Sequence, residues 1–242
     1  MPLPKVVTPV FEVNLLSTGK PVRYRPFLVK EEKALLIALE SGNDKNIIAT
    51  VKDVLKACVV TRGVKIDTLP SFDLEYLFLN IRGKSVGETV ELLVTCADDE
   101  DTKVPLMIHM SEIGLDVPDG HTDTIELDGG ISIKMKYPSM DEFLKNNFSV
   151  TQQTNKDTVD EAFKVIAKCI DTVFTEEEAW SASDCTQTEL VKFIEQLSSA
   201  QFQKIENFFS SMPKLKYEGK VTNPNTEVVT DVVVEGMSNF FG

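Results

Sequence analysis

The sequence predicts an α+β protein, with helical regions flanking a small antiparallel β-sheet and β-hairpins near the N- and C-terminal ends. Two patterns carry this. Several segments repeat apolar residues at spacings of three and four, the mark of one-faced helices, whereas residues 87–136 and 214–234 alternate apolar and polar residues between turns. With 242 residues, 42% of them apolar, the chain can bury the core of one large domain or two modest ones. The patterns divide it into a hairpin plus helices (1–84), a β-rich middle (85–137), and a helical region ending in a hairpin and an apolar tail (138–242).

Residues 11–16 and 21–25 are extended runs joined by Ser17-Thr18-Gly19-Lys20, so the first element is a hairpin. Pro26 disfavours a helical conformation at Arg25. Glu31 and Glu32 suit the positive end of a helix over Lys30–Glu40, and Leu35, Leu36 and Leu39 are expected to hold that helix in the core. Asn43 or Asp44 caps a second helix whose apolar face runs from Ile47 to Val59. A third spans Phe72–Arg82, with Leu74, Leu77, Phe78 and Ile81 on one side.

Gly87–Cys96 and Lys103–Met110 read as a second hairpin around the acidic turn Asp98-Asp99-Glu100-Asp101, and Ile131–Lys136 as a further strand. Ser139 and Glu142 form a capping box for a short helix ending near Phe148, and Val150–Asp157 is linker-like. Val159 through Ile170 has helical spacing. Thr186/Glu189 and Ser198/Gln201 open two more helices, the second bearing Phe202, Phe208 and Phe209 as a core stripe and stopped by Pro213. Lys214–Thr222 and Val228–Val234, joined around Asn223-Pro224-Asn225-Thr226, form the strongest hairpin signal.

Composition narrows the function. Cys58, Cys96, Cys169 and Cys185 show neither a disulfide framework nor zinc-ligand spacing, which suits reduced, largely buried thiols in a cytoplasm. No signal-peptide hydrophobic region and no bilayer-spanning apolar run is present, so neither secretion nor membrane insertion is expected. The net charge of -13 is uneven: residues 1–60 hold nine Lys/Arg against six Asp/Glu, which leaves -16 for the remainder. An acidic body disfavours nucleic acid as the partner.

Chemistry is sparse. His109 and His121 sit in unrelated contexts without a nucleophile elbow, HExxH or Ser–Lys pattern, and are assigned packing or surface roles. Ser17–Lys20 lacks the glycine spacing and following helix of a phosphate loop. Asp98–Asp101 and Glu176–Glu178 lack the calcium-loop pattern. No catalytic, cofactor or metal residue is therefore assigned. Lys20, Arg23 and Arg25 suit a docking face for an acidic protein surface, or equally the positive charges that protect an edge strand. The tail residues Met237, Phe240 and Phe241 are apolar contacts of the kind that dominate interfaces.

Several ordered blocks also resemble a known family. Pro4-Lys5, Ser17–Lys20, Tyr24–Lys33, Ala38–Gly42, Asp73–Glu88, Phe208–Leu215 and Glu235–Phe241 are similar to blocks of the baseplate hub subunits of T-even-type contractile-tailed bacteriophages. The resemblance implies a non-enzymatic tail morphogenesis protein that contacts other hub proteins in the host cytoplasm. Such a protein is either retained in the virion or transient as an assembly chaperone. Hub relatives carry a cysteine pair where this sequence has Asn223-Pro224-Asn225-Thr226, so the resemblance brings no metal to that turn. The rival expectation is a hub-associated hydrolase using a carboxylate pair, although no motif singles out a pair.

Overall fold

The computed structural model describes residues 7–145 and 156–235. In chain order its elements are β1 (Phe11–Asn14), β2 (Pro21–Tyr24), α1 (Val29–Glu40), α2 (Asp44–Cys58), α3 (Ser71–Val86), β3 (Thr89–Cys96), β4 (Asp99–His109) and β5 (Gly114–Asp116). These are followed by β6 (Thr124–Glu126), β7 (Ser132–Met135), α4 (Met140–Lys145), α5 (Lys156–Lys168), β8 (Ile170–Phe174) and β9 (Ala179–Ser181). The last are α6 (Gln187–Glu195), α7 (Ser199–Ser210), β10 (Lys214–Thr222) and β11 (Val229–Glu235). The mixture of helices with small antiparallel sheets is the α+β class expected.

Two compact units share these elements. Of the described residues, the first takes 7–68, 72–116 and 214–235, and the second takes 69–71 and 117–213. The β-rich middle is therefore not one sheet: β3 and β4 pair within the first unit, whereas β6 and β7 belong to a four-stranded sheet of the second. The alternation is real in both places, but alternation fixes which side of a strand is apolar and not which strand lies beside it.

In the first unit, Val90, Leu92, Leu106 and Ile108 from β3 and β4 pack with Leu215, Tyr217, Val221, Val232 and Val234 from β10 and β11. Gly219 has a structural reason: a Cβ there would overlap the ring and hydroxyl of Tyr217, so only glycine lets that ring lie along its own strand. β4 starts at Asp99, paired with Cys96, so the hairpin turn is tighter than the acidic run suggests. The turn is tied to the one between β10 and β11. Asp98 accepts hydrogen bonds from Asn223 Nδ2 (3.2 Å) and Thr226 Oγ1 (2.5 Å), and Asn225 Nδ2 donates to Thr102 Oγ1 at 3.0 Å. The two turns are thus joined by a hydrogen-bonded clamp. The Thr226 hydroxyl bond, opposed by partial burial and aided by Asn223, holds the Asp98 carboxyl below its usual range. Asp98→Ala is expected to raise amide exchange several-fold across residues 223–228. Unchanged exchange there, measured by hydrogen–deuterium mass spectrometry, would refute the clamp.

Helices α1 and α2 pack in the same unit. Asn43 Oδ1 accepts from Lys45 N (3.0 Å) and Asn46 N (3.3 Å), so Asn43 is the cap of α2. The buried side of α1 is Glu31, Leu35 and Ala38. Leu39 is half-buried, but Leu36 is 57% exposed and does not belong to the core. α1 is apolar nearly all round, so residue type alone could not choose its inner face.

The second unit builds its core from Ile133 and Met135 of β7, Val165 and Ile166 of α5, Ile170 of β8, Ile194 of α6, and Ile205, Phe208 and Phe209 of α7. The capping boxes at Thr186/Glu189 and Ser198/Gln201 are both formed, each worth about 1 kcal/mol. The Ser139 amide and hydroxyl both donate to Glu142 at the start of α4 (2.9 Å each), while Phe148 and residues 150–155 lie outside the described residues. The α5 helix stops at Lys168 instead of continuing through Ile170. Ile170–Phe174 is strand β8, paired on one side with β7 and on the other with β9. Neither glycine nor proline marks this break. β-Branched Ile170, Thr172 and Val173 suit a pleated surface, and the free edge of β7 decides the outcome.

Candidate protein interaction site

The basic hairpin is held from beneath by a carboxylate. Asp73, in the first turn of α3 and 0% exposed, accepts from Leu16 N (2.7 Å), Ser17 N (3.1 Å) and the Ser17 hydroxyl. Those donors, together with the positive end of the helix, compensate a charge that would otherwise be costly to bury. Sequence reasoning missed Asp73, although an aspartate within the apolar run Phe72–Leu79 was the available signal.

The hairpin's other side is fixed by the chain leaving α2. Arg23 N donates to Thr61 Oγ1 at 2.7 Å, Val60 N donates to the Arg23 carbonyl at 2.9 Å, and Arg25 N donates to the Cys58 carbonyl at 2.9 Å. Lys20, in the turn, and Arg23, on β2, are both solvent-exposed. Arg25 does not join them. Its guanidinium reaches Glu31 Oε1 at 3.0 Å and the Pro26 carbonyl at 2.9 Å, leaving 16% of the side chain exposed. Glu31 also takes the Leu28 N–H at 2.8 Å and lies 3.4 Å from Lys30 Nζ. Burial pushes the Glu31 carboxyl up, but the bonds from Arg25 and Leu28 outweigh it and hold it below its usual value. The acid–base cluster at the entrance of α1 is therefore an internal brace, and the basic face comprises Lys20 and Arg23. Met237, Phe240 and Phe241 lie outside the described residues.

His109 lies between the Ser111 hydroxyl and the Glu88 carboxylate, with Nε2 4.0 Å from Glu88 Oε2, but all three side chains are exposed to water. His109 Nδ1 meets Ser111 Oγ at 2.7 Å at the mouth of a cleft of about 270 Å³, where Lys84 and Glu88 pair at 2.5 Å. His121 packs against both Tyr137 and Phe208, which also contact each other, with Nδ1 2.9 Å from Ser211 Oγ and Nε2 2.9 Å from the Tyr137 hydroxyl. A larger groove, about 510 Å³, runs between α5 and α6 and is lined by Phe163 and Val191 with Asp160, Lys164 and Glu195. Both carboxylates are exposed to water. Burial lifts the Cys58 thiol to about 11 and the Cys169 thiol to about 12, which makes both poor nucleophiles. Among the described residues, no cluster of three or more His, Cys, Asp or Glu could hold a metal ion, and no helix is long and apolar enough to cross a membrane.

The hairpin presents the exposed side chains of Lys20 and Arg23 outward. The family is specific: the model for the T4 bacteriophage base plate protein matches residues 8–242, and the chain belongs to that family. Its role is therefore structural or assembly-related in a phage baseplate, with other baseplate proteins as partners. No curated protein and no solved structure matches the chain significantly.

Proposed function

We propose that the chain is a component or assembly factor of the baseplate hub, acting through non-covalent contacts in the host cytoplasm and catalysing no covalent reaction. One observation carries this reading: a baseplate family match over nearly the whole chain coincides with blocks, above all Tyr24–Lys33 and Asp73–Glu88, that are similar to hub subunits. The structure gives those blocks work of the right kind, since they brace and anchor the hairpin that displays Lys20 and Arg23. A carboxylate-pair hydrolase would need one carboxyl drawn away from water, and Asp160 and Glu195 in the groove between α5 and α6 are both exposed.

Affinity purification of the tagged full chain from infected cells tests the proposal. Hub proteins are expected in the eluate, and Lys20→Glu with Arg23→Glu should lower their recovery about tenfold through charge reversal at the contact. Recovery of only non-hub baseplate proteins would refute the hub assignment. Mass spectrometry of purified virions then separates the two forms of the role, because a retained subunit is present in stoichiometric amount and a chaperone is not.

A further inference from the structure

The outer face of α1 carries a pattern that the core does not use. Val29 is 80% exposed, Leu36 57% and Ile37 58%, although a helix packed on one side normally turns such residues inward. At 100° per residue, Val29, Lys33, Leu36, Ile37 and Glu40 fall in one stripe about 100° wide, opposite the buried Glu31, Leu35 and Ala38. Isolated apolar residues on a surface are ordinary, but here Val29, Leu36 and Ile37 are gathered on one face around two charges of opposite sign. Lys33 and Glu40 are exposed in the same stripe, and among the described residues neither pairs within the chain.

The order of residues in this stripe is self-complementary. A second copy of the helix, laid antiparallel about a two-fold axis between Leu36 and Ile37, sets Leu36 beside the other copy's Leu36 on one edge of the contact and Ile37 beside its Ile37 on the other. The same operation sets Lys33 against the other copy's Glu40, and Glu40 against its Lys33. A two-fold contact requires that if one residue meets another, the reverse contact also forms, and the apolar and charged positions of this stripe both meet that condition with one axis. A parallel copy in register would instead oppose lysine to lysine and glutamate to glutamate.

We infer that α1 is a homodimerisation helix, pairing antiparallel with α1 of a second copy through Leu36 and Ile37 and two Lys33–Glu40 ion pairs. The inference does not depend on the hub assignment, because self-association can be present or absent whichever baseplate protein the chain contacts. A contact of one helix per subunit lies at the small end of specific interfaces, so the dissociation constant should fall at about 10–100 µM.

Sedimentation equilibrium of the full chain from about 1 to 200 µM spans that range. A reversible monomer–dimer equilibrium is expected. Leu36→Glu should be monomeric throughout with an unchanged melting temperature, because its site is on the surface. Lys33→Glu and Glu40→Lys should each weaken the dimer about tenfold, and the double exchange K33E/E40K should restore it, since the ion pairs re-form with their signs reversed. A chain that stays monomeric, a dimer indifferent to Leu36→Glu, or a double exchange no better than either single change would overturn the proposal. Restoration by the double exchange separates this antiparallel pair from any other route to a dimer.

Discussion

Replacing Asp73 by alanine is expected to destabilise the first unit by about 3 kcal/mol and to loosen the N-terminal hairpin selectively. The loss comes from three bonds to one buried carboxylate: the Leu16 and Ser17 amides and the Ser17 hydroxyl lose their acceptor together. A hydrogen bond to a charged group is worth about 1.5–3 kcal/mol, and an orphaned half-buried amide adds to the cost. Water entering the vacated site would offset much of this, which is why the expected net loss is about 3 kcal/mol and not the full sum of three such bonds. Asp73→Asn should cost only about 1 kcal/mol, because its amide oxygen still accepts from both backbone amides. Urea unfolding gives the energies. Hydrogen exchange supplies the location, with faster exchange expected over 11–24 and little change in the second unit. If Asp73→Ala cost under about 1 kcal/mol, or left exchange in the hairpin unchanged, Asp73 would not be the hairpin's anchor.

The elements legible in the sequence were those that carry their own local signal. Asn43, Thr186 and Ser198 cap helices because a short side-chain acceptor sits beside free helix-start amides, and the sequence states that directly. The two terminal hairpins announce themselves through turn residues between alternating runs. What was illegible depends on partners distant in sequence. The β8 strand begins two residues after a helix, with no breaker between, because β7 offers it an edge. The division of the middle strands between two units, and the exposure of Leu36, are likewise decisions of tertiary packing.

The site shows the same split. Lys20 and Arg23 could be named from charge alone. Arg25 follows Arg23 by two positions and carries the same charge, yet Glu31, six positions further on, withdraws it from the surface. Asp73 acts on residues 56 and 57 positions away, a separation that no local pattern records.

Phe208→Ala should be the more damaging change, costing the second unit about 3–5 kcal/mol, the usual range for emptying a large aromatic site. Phe208 is 3% exposed, packs edge-on to Phe209 at 5.1 Å and stacks with His121 and Tyr137 at 5.4 and 5.6 Å. Its loss should also change how stability responds to pH. Burial, opposed only in part by the charge of Asp123, holds His121 below its ordinary value of 6.5. The unfolded chain therefore binds a proton first as pH falls. Native stability should decline from about pH 6.5 downward and level off, for this group, once the folded-state value is passed. Removing the Phe208 ring admits water to one face of the imidazole, so its titration should move back toward 6.5 and the decline should shrink. His121→Gln, which keeps polar atoms near Tyr137 and Ser211 but does not titrate, should abolish this part of the pH dependence in an otherwise intact protein. Nuclear magnetic resonance titration of the two histidines, paired with urea unfolding at pH 5 and 7.5, reads both effects. A His121 that already titrates at or above 6.5 in the native chain would refute the burial argument, and a Phe208→Ala cost below about 2 kcal/mol would refute the packing one.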